Sequence, residues 1–183
     1  MIRRSFLALV CSTTLLAACG FQLRGQENYA FKRLAVVGAP PVVAARLTRM
    51  IEGGSDTVVV DSPSNADAVL TVSEGRGQSV LTLNLAGAAE EYALTYSLNY
   101  SLASADGTVL IPPSSIALNR AMTYSVTYAL AKGQESELLY ADMQNDAVDQ
   151  LTRRLATVHS LHPAPGQQTP GVSPRAPLPP PPL

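Results

Sequence analysis

Tryptophan is absent from the 183-residue sequence, cysteine and histidine occur twice each, and only 15% of residues are charged. Each shortage closes off chemistry. The two histidines, His159 and His162, stand three apart beside a Pro-rich tail, so no His/Cys cluster has metal-ligand spacing. One cysteine, Cys11, falls in an apolar leader, which leaves Cys19 alone and allows no internal disulfide; stability must come from packing and sheet pairing. Thirteen basic residues face fourteen acidic ones, a net charge of −1, with no basic concentration of the kind that releases counterions from nucleic acid. No Gly-Xaa-Ser-Xaa-Gly elbow, phosphate loop or dinucleotide fingerprint occurs. Gly75-Arg-Gly77 has the outline of a phosphate cradle but reads as a bend between strand halves. Asp142, Asp146 and Asp149 sit at helical spacing and read as a solvated helix face rather than paired catalytic carboxylates. These absences argue against an enzyme and call for no cofactor.

What is present begins at the N-terminus. Arg3 and Arg4 precede an apolar stretch from Phe6 to Ala18, shorter than the roughly 20 residues a spanning helix needs. It ends Leu16-Ala-Ala-Cys19, a lipobox: small residues suit a peptidase cleft, and the thiol takes the diacylglycerol. Cleavage before Cys19 and acylation of both thiol and new amino group supply more than one buried chain, enough for stable anchoring. Residues 1–18 are thus read as the signal, 19–160 as the folded unit and 161–183, with nine of the fourteen prolines, as a disordered tail.

Within the folded unit, Lys32 to Gly38 reads as a buried strand. Pro40-Pro41 opens a helix with Val43, Leu47, Met50 and Ile51 on one side, stopped by Gly53-Gly54. Thr57–Val60 is a strand stub. A strand from Ala66 to Glu74 continues as Val80–Leu85 past the glycine pair, where a bulge or sharp bend is expected. The strongest β pattern is Tyr92, Leu94, Tyr96, Leu98, Tyr100 and Leu102, alternating with small or polar residues. Asp106-Gly107 turns the chain into a partner strand, interrupted by Pro112-Pro113 and resuming with Ile116, Leu118, Arg120, Met122, Tyr124, Val126 and Tyr128. A long helix from about Gln134 to Val158 carries the stripe Leu139, Met143, Ala147, Leu151, Leu155 and Val158. The fold class predicted is α+β: one antiparallel-rich sheet of about four strands, some pairing mixed, with two helices packed on one face.

Cys19-Gly-Phe-Gln-Leu-Arg24 resembles the start of the mature LptE (RlpB) family. Ala129-Leu-Ala-Lys132, Glu135, the Tyr140–Met143 region and Gln150–Leu155 look like that family's entry into its final helix. The resemblance implies a lipoprotein on the periplasmic side of the outer membrane that assembles with the LptD β-barrel, plugs its lumen and contacts lipopolysaccharide on its way to the outer leaflet. Gly20 after the cysteine, where retained lipoproteins carry Asp, agrees with that destination. Phosphorylated sugars call for cations, so Lys132 is the first candidate for the lipopolysaccharide contact, followed by Arg120 and Arg76, with Arg24 weaker. Arg120 falls among large residues on its strand; an edge from which the guanidinium snorkels, or a partner or ligand, accounts for it. The basic residues that the family tends to carry before the Glu91-Tyr92 strand are replaced by Leu85-Ala-Gly-Ala-Ala89. The alternative is a lipoprotein scaffold for another envelope machine, a secretin pilot or a cell-wall synthase activator.

Overall fold

The structure is a computed structural model that describes residues 27–164 and 169–172. The signal, Cys19, Arg24 and most of the Pro-rich tail lie outside the described residues. The chain runs β1 (Arg33–Val37), α1 (Pro41–Gly54), β2 (Val58–Val60), β3 (Ala68–Leu83), β4 (Ala89–Ser104), β5 (Val109–Thr123) and α2 (Ala129–Leu155). The sheet has five strands in the order β2-β1-β3-β4-β5, one more than the pattern suggested because the stub at Val58 pairs fully with β1. β1 is parallel to both β2 and β3, while β3, β4 and β5 form an antiparallel meander.

Alternation in β4 sets the layering. Leu94, Tyr96, Leu98, Tyr100 and Leu102 are buried, and so are Ala68, Leu70 and Val72 of β3, whereas Thr71, Ser73, Thr95 and Asn99 are exposed. One face is therefore covered and the other open. The cover comes from Val43, Leu47 and Ile51 of α1 together with Tyr140, Met143, Ala147, Val148, Leu151 and Leu155 of α2, all in one core. On α2 the apolar stripe is two rows wide, since Tyr140, Gln144, Val148 and Thr152 are buried beside the expected row.

Three local expectations are corrected. β3 passes without interruption through Gly75 and Gly77; its register shifts lie at Val80, Thr82 and Leu83 instead. The glycines serve their neighbours: a Cβ on Gly75 would stand 2.7 Å from Ser97 Oγ, and one on Gly77 2.6 Å from Thr95 Oγ1. β5 also runs on through Pro112-Pro113, but its pairing with β4 shifts register there, Ile111 facing Leu102 and Ser114 facing Tyr100, so the two prolines sit in an irregularity where neither owes β4 a ladder bond. At its far end β5 stops at Thr123, so Tyr124, Val126 and Tyr128 do not extend it; Val126–Tyr128 form a 3-10 turn that feeds α2 five residues before Gln134. Tyr124 instead packs edge-on against Tyr92, ring centroids 5.0 Å apart.

The two ends of the sheet differ. At one end lie Arg33, Ala68, Ser104 and the Gly107 turn (φ +88°), with the first described residue beside them, the Glu27 amide donating to the Gly54 carbonyl at 2.8 Å. At the other end the β3–β4 hairpin tip and the start of α2 extend past the core. β3 and β4 have 16 residues each, so at ~3.4 Å per residue the two ends are roughly 50 Å apart.

Candidate functional site

Of the three basic residues singled out by sequence, Arg76 and Arg120 flank α2 and Lys132 lies within it, each held by an acid of that helix. Arg120 of β5 donates to Asp146 Oδ2 at 2.9 Å and to the Asn119 carbonyl at 3.0 Å. Arg76 of β3 lies 5.3 Å from the centroid of the Tyr140 ring, with Glu137 at 3.4 Å and Glu74 at 3.7 Å. Lys132 belongs to the first turn of α2 and not to a junction before it. Its Nζ donates to Glu135 Oε2 at 2.8 Å and to Thr123 Oγ1 at 3.1 Å. Arg120 thus meets both readings offered for it, an edge strand and a carboxylate partner.

The geometry does not bring the three cations into one cluster. Arg76 and Arg120 lie on opposite sides of β4, Arg76 opposite Tyr96 and Arg120 opposite Leu94, and Lys132 is at the distal end beside Thr123. Every one of their helix partners is exposed, with Glu137 at 72%, Asp146 at 52% and Glu135 at 46% side-chain accessibility. An incoming phosphate can replace an exposed carboxylate without stranding a buried charge, because the displaced acid simply turns to solvent. The remaining aspartates behave as structure: Asp149 holds Arg46 of α1 at 2.9 Å, joining the two helices, and Asp142 is exposed.

Behind Arg76 lies a polar network that the sequence did not single out. Glu74 Oε2 accepts from the Tyr96 hydroxyl and from Gln144 Nε2, both at 2.9 Å. Burial first, and the adjacent Glu74 carboxylate second, push the Tyr96 hydroxyl above its ordinary range, so it stays a donor. The Tyr140 hydroxyl, also pushed up by burial, donates to the Gly77 carbonyl at 2.7 Å. These bonds pin α2 over the middle of β3 and β4, and with it the acids that hold Arg76 and Arg120. The signal available in sequence was Gln144 next to the apolar stripe, but its partner is 70 residues away.

Two surfaces remain. On the open face of the sheet, shallow grooves are lined by Thr71, Ser73, Asn99, Ser101 and Ser115, and by Gly75, Gly77, Thr95 and Ala117. These grooves are small-residued and, apart from Arg76 at one border, uncharged. At the distal end large apolar residues are exposed: Leu81, Leu83 and Leu85 on the hairpin, and Tyr128, Leu130 and Leu138 around the start of α2. Leu81, Leu83 and Leu85 fall at every second position, a strand signal in the sequence, but β3 shifts register at Val80–Leu83 and ends before Leu85. Among the described residues no helix is long and apolar enough to cross a membrane.

Comparison with known proteins sets this architecture in context. Residues 23–155 match the family model LptE, described as lipopolysaccharide-assembly. The LPS-assembly lipoprotein LptE of Photorhabdus laumondii is 26% identical over 165 residues, covering 87% of this chain and 90% of that protein. Its counterpart in Yersinia enterocolitica is 29% identical over 173 residues, covering 87% and 79%. Among solved structures, lipoprotein B of Nitrosomonas europaea is 30% identical with a TM-score of 0.64, covering 75% of this chain and 91% of that one. Rare lipoprotein B of Shewanella oneidensis is 25% identical with a TM-score of 0.56, covering 68% and 93%.

Proposed function

The chain belongs to the LptE lipopolysaccharide-assembly family, and from that premise we propose that it is a lipid-anchored subunit of an outer-membrane β-barrel of the LptD type, acting without catalysis. In this reading Cys19 carries the lipid, the globule enters the barrel lumen from the periplasmic side, and lipopolysaccharide is contacted at the distal end around Lys132. The observation that carries it is polarity. Glu27 lies at the proximal end, eight residues after Cys19, a stretch that reaches at most about 28 Å. The apolar residues of the hairpin tip and of the start of α2 are at the opposite end. A tethered globule some 50 Å long matches the depth of a bilayer with its headgroups, ~40–45 Å, so the distal end can pass through a barrel while the tether stays in the inner leaflet. The grooves of the open face, lined by hydroxyls and glycines, suit close approach to a barrel wall.

Purification of the acylated protein from its native membrane should bring a large β-barrel with it. A secretin or a cell-wall synthase in its place would overturn the assignment. The ligand contact has its own test. Lys132→Asp should weaken binding of purified lipopolysaccharide by roughly tenfold or more, the worth of a charge-assisted hydrogen bond, with circular dichroism unchanged. An unaltered affinity removes Lys132 from the contact.

A further inference from the structure

The outer edge of β5 is blocked at several points. Pro112 and Pro113 present no N–H there, and Arg120 turns its guanidinium back onto the Asn119 carbonyl. Between these two devices lies Ser115, and its amide is taken by the chain's own C-terminal segment. The Ser115 N–H donates to the Val172 carbonyl at 2.7 Å, and the Val172 N–H donates to the Ser114 hydroxyl at 3.0 Å. Ser114 is buried and fixed, since its hydroxyl donates in turn to the Pro112 carbonyl at 2.7 Å. From the last turn of α2, Arg154 donates to the Pro170 carbonyl. Gly171 makes a close approach: a Cβ there would stand 3.1 Å from Pro112 Cγ and 3.3 Å from Ser114 Oγ, so one of them would have to give by a few tenths of an ångström.

We infer that residues 169–172 are a built-in cover for the β5 edge, a peptide-docking strand edge that takes an extended segment with a glycine against Pro112 and that this chain fills with its own tail. The alternative occupant is the β5 edge of a second copy. An uncovered edge of this length is a template for strand pairing, and β5 has 15 residues. A tail on the same chain competes with a second molecule at the high effective concentration of a short tether. The prolines, the tail and Arg120 guard successive stretches of one edge, and the tail is the only one of the three that can leave. This inference is independent of the barrel assignment.

The test uses the full mature lipoprotein in detergent micelles, a variant ending at Ala164, and full-length Gly171→Val, which keeps the tail but crowds Pro112. Amide hydrogen exchange at Ser115 should quicken at least tenfold in both variants, while Leu98, inside the sheet, is unchanged. Equal protection of Ser115 in the truncated chain would overturn the cover. Asn119→Cys places the mature chain's one unacylated thiol on the same strand. Disulfide dimers of N119C should form several-fold faster in the truncated background than in the full-length one; equal rates would show that the tail does not hold off a second copy.

Discussion

The proximal and distal ends of this molecule are built on different rules. At the proximal end charge is matched: Asp67 receives a two-pronged guanidinium from Arg33 (2.7 and 3.2 Å) and the backbone amides of Lys32 and Arg33, so β1 is clipped to the start of β3. His162 meets Asp106 across the Gly107 turn at 3.1 Å, and the Ser104 hydroxyl, ahead of the Thr108 amide, holds the Asp106 carboxyl well below the usual range. At the distal end the Lys132–Glu135 pair stands among large aliphatics that face outward, with Leu85 fully exposed and Leu130 83% accessible. The difference teaches that the proximal end satisfies its groups within the chain, while the distal end leaves large apolar side chains exposed. Single exposed leucines are ordinary on a protein surface, but here several fall at one tip.

The comparison can be broken most sharply in the shared core. Leu98→Ala removes a fully buried side chain between the two halves and should cost about 2–5 kcal/mol in urea unfolding of the mature protein. A loss under 1 kcal/mol would mean that the core is looser than its burial indicates. Asp67→Asn comes next. The Arg33 guanidinium, ahead of any effect of burial, keeps the Asp67 carboxyl below its ordinary value. The stability it contributes is therefore present above the unfolded value of about 3.9 and is lost as pH falls through the lowered folded value. Near neutral pH the variant should be roughly 1–2 kcal/mol less stable, discounted for partial solvent access, and the gap should close in acid. A gap that persists at pH 2 would sink the clip. The smallest stability effect is expected at the distal tip. Leu83→Ser should change unfolding by less than about 0.5 kcal/mol, yet reduce recovery of the co-purifying barrel. A destabilisation as large as that of Leu98→Ala would erase the distinction between the two ends.

How much was legible in advance follows from range along the chain. The alternation of β4 and the stripe of α2 are periodic, and a sheet covered on one face writes that period directly into neighbouring residues. The start of α2 was missed because Ala129–Gly133 has no apolar period, contains a glycine, and is entered from Tyr128 without a capping side chain. Gly75 and Gly77 look like a bend in the sequence because their reason lies on β4, in Ser97 and Thr95. The lysine and arginines were found as residue types, but their acid partners were not. Arg120 meets Asp146 across 26 positions, and Arg76 meets Glu137 across 61.

By itself, then, the sequence determined the helices and strands that repeat with a period, the membership of an α+β lipopolysaccharide-assembly family, and the poverty in catalytic groups. Tertiary structure alone decided which cation meets which carboxylate, which end of the sheet is left apolar and bare, and where residues 169–172 come to rest. Periodicity is a local consequence of backbone geometry, whereas ion pairs and strand edges join groups whose separation along the chain bears no relation to their separation in space.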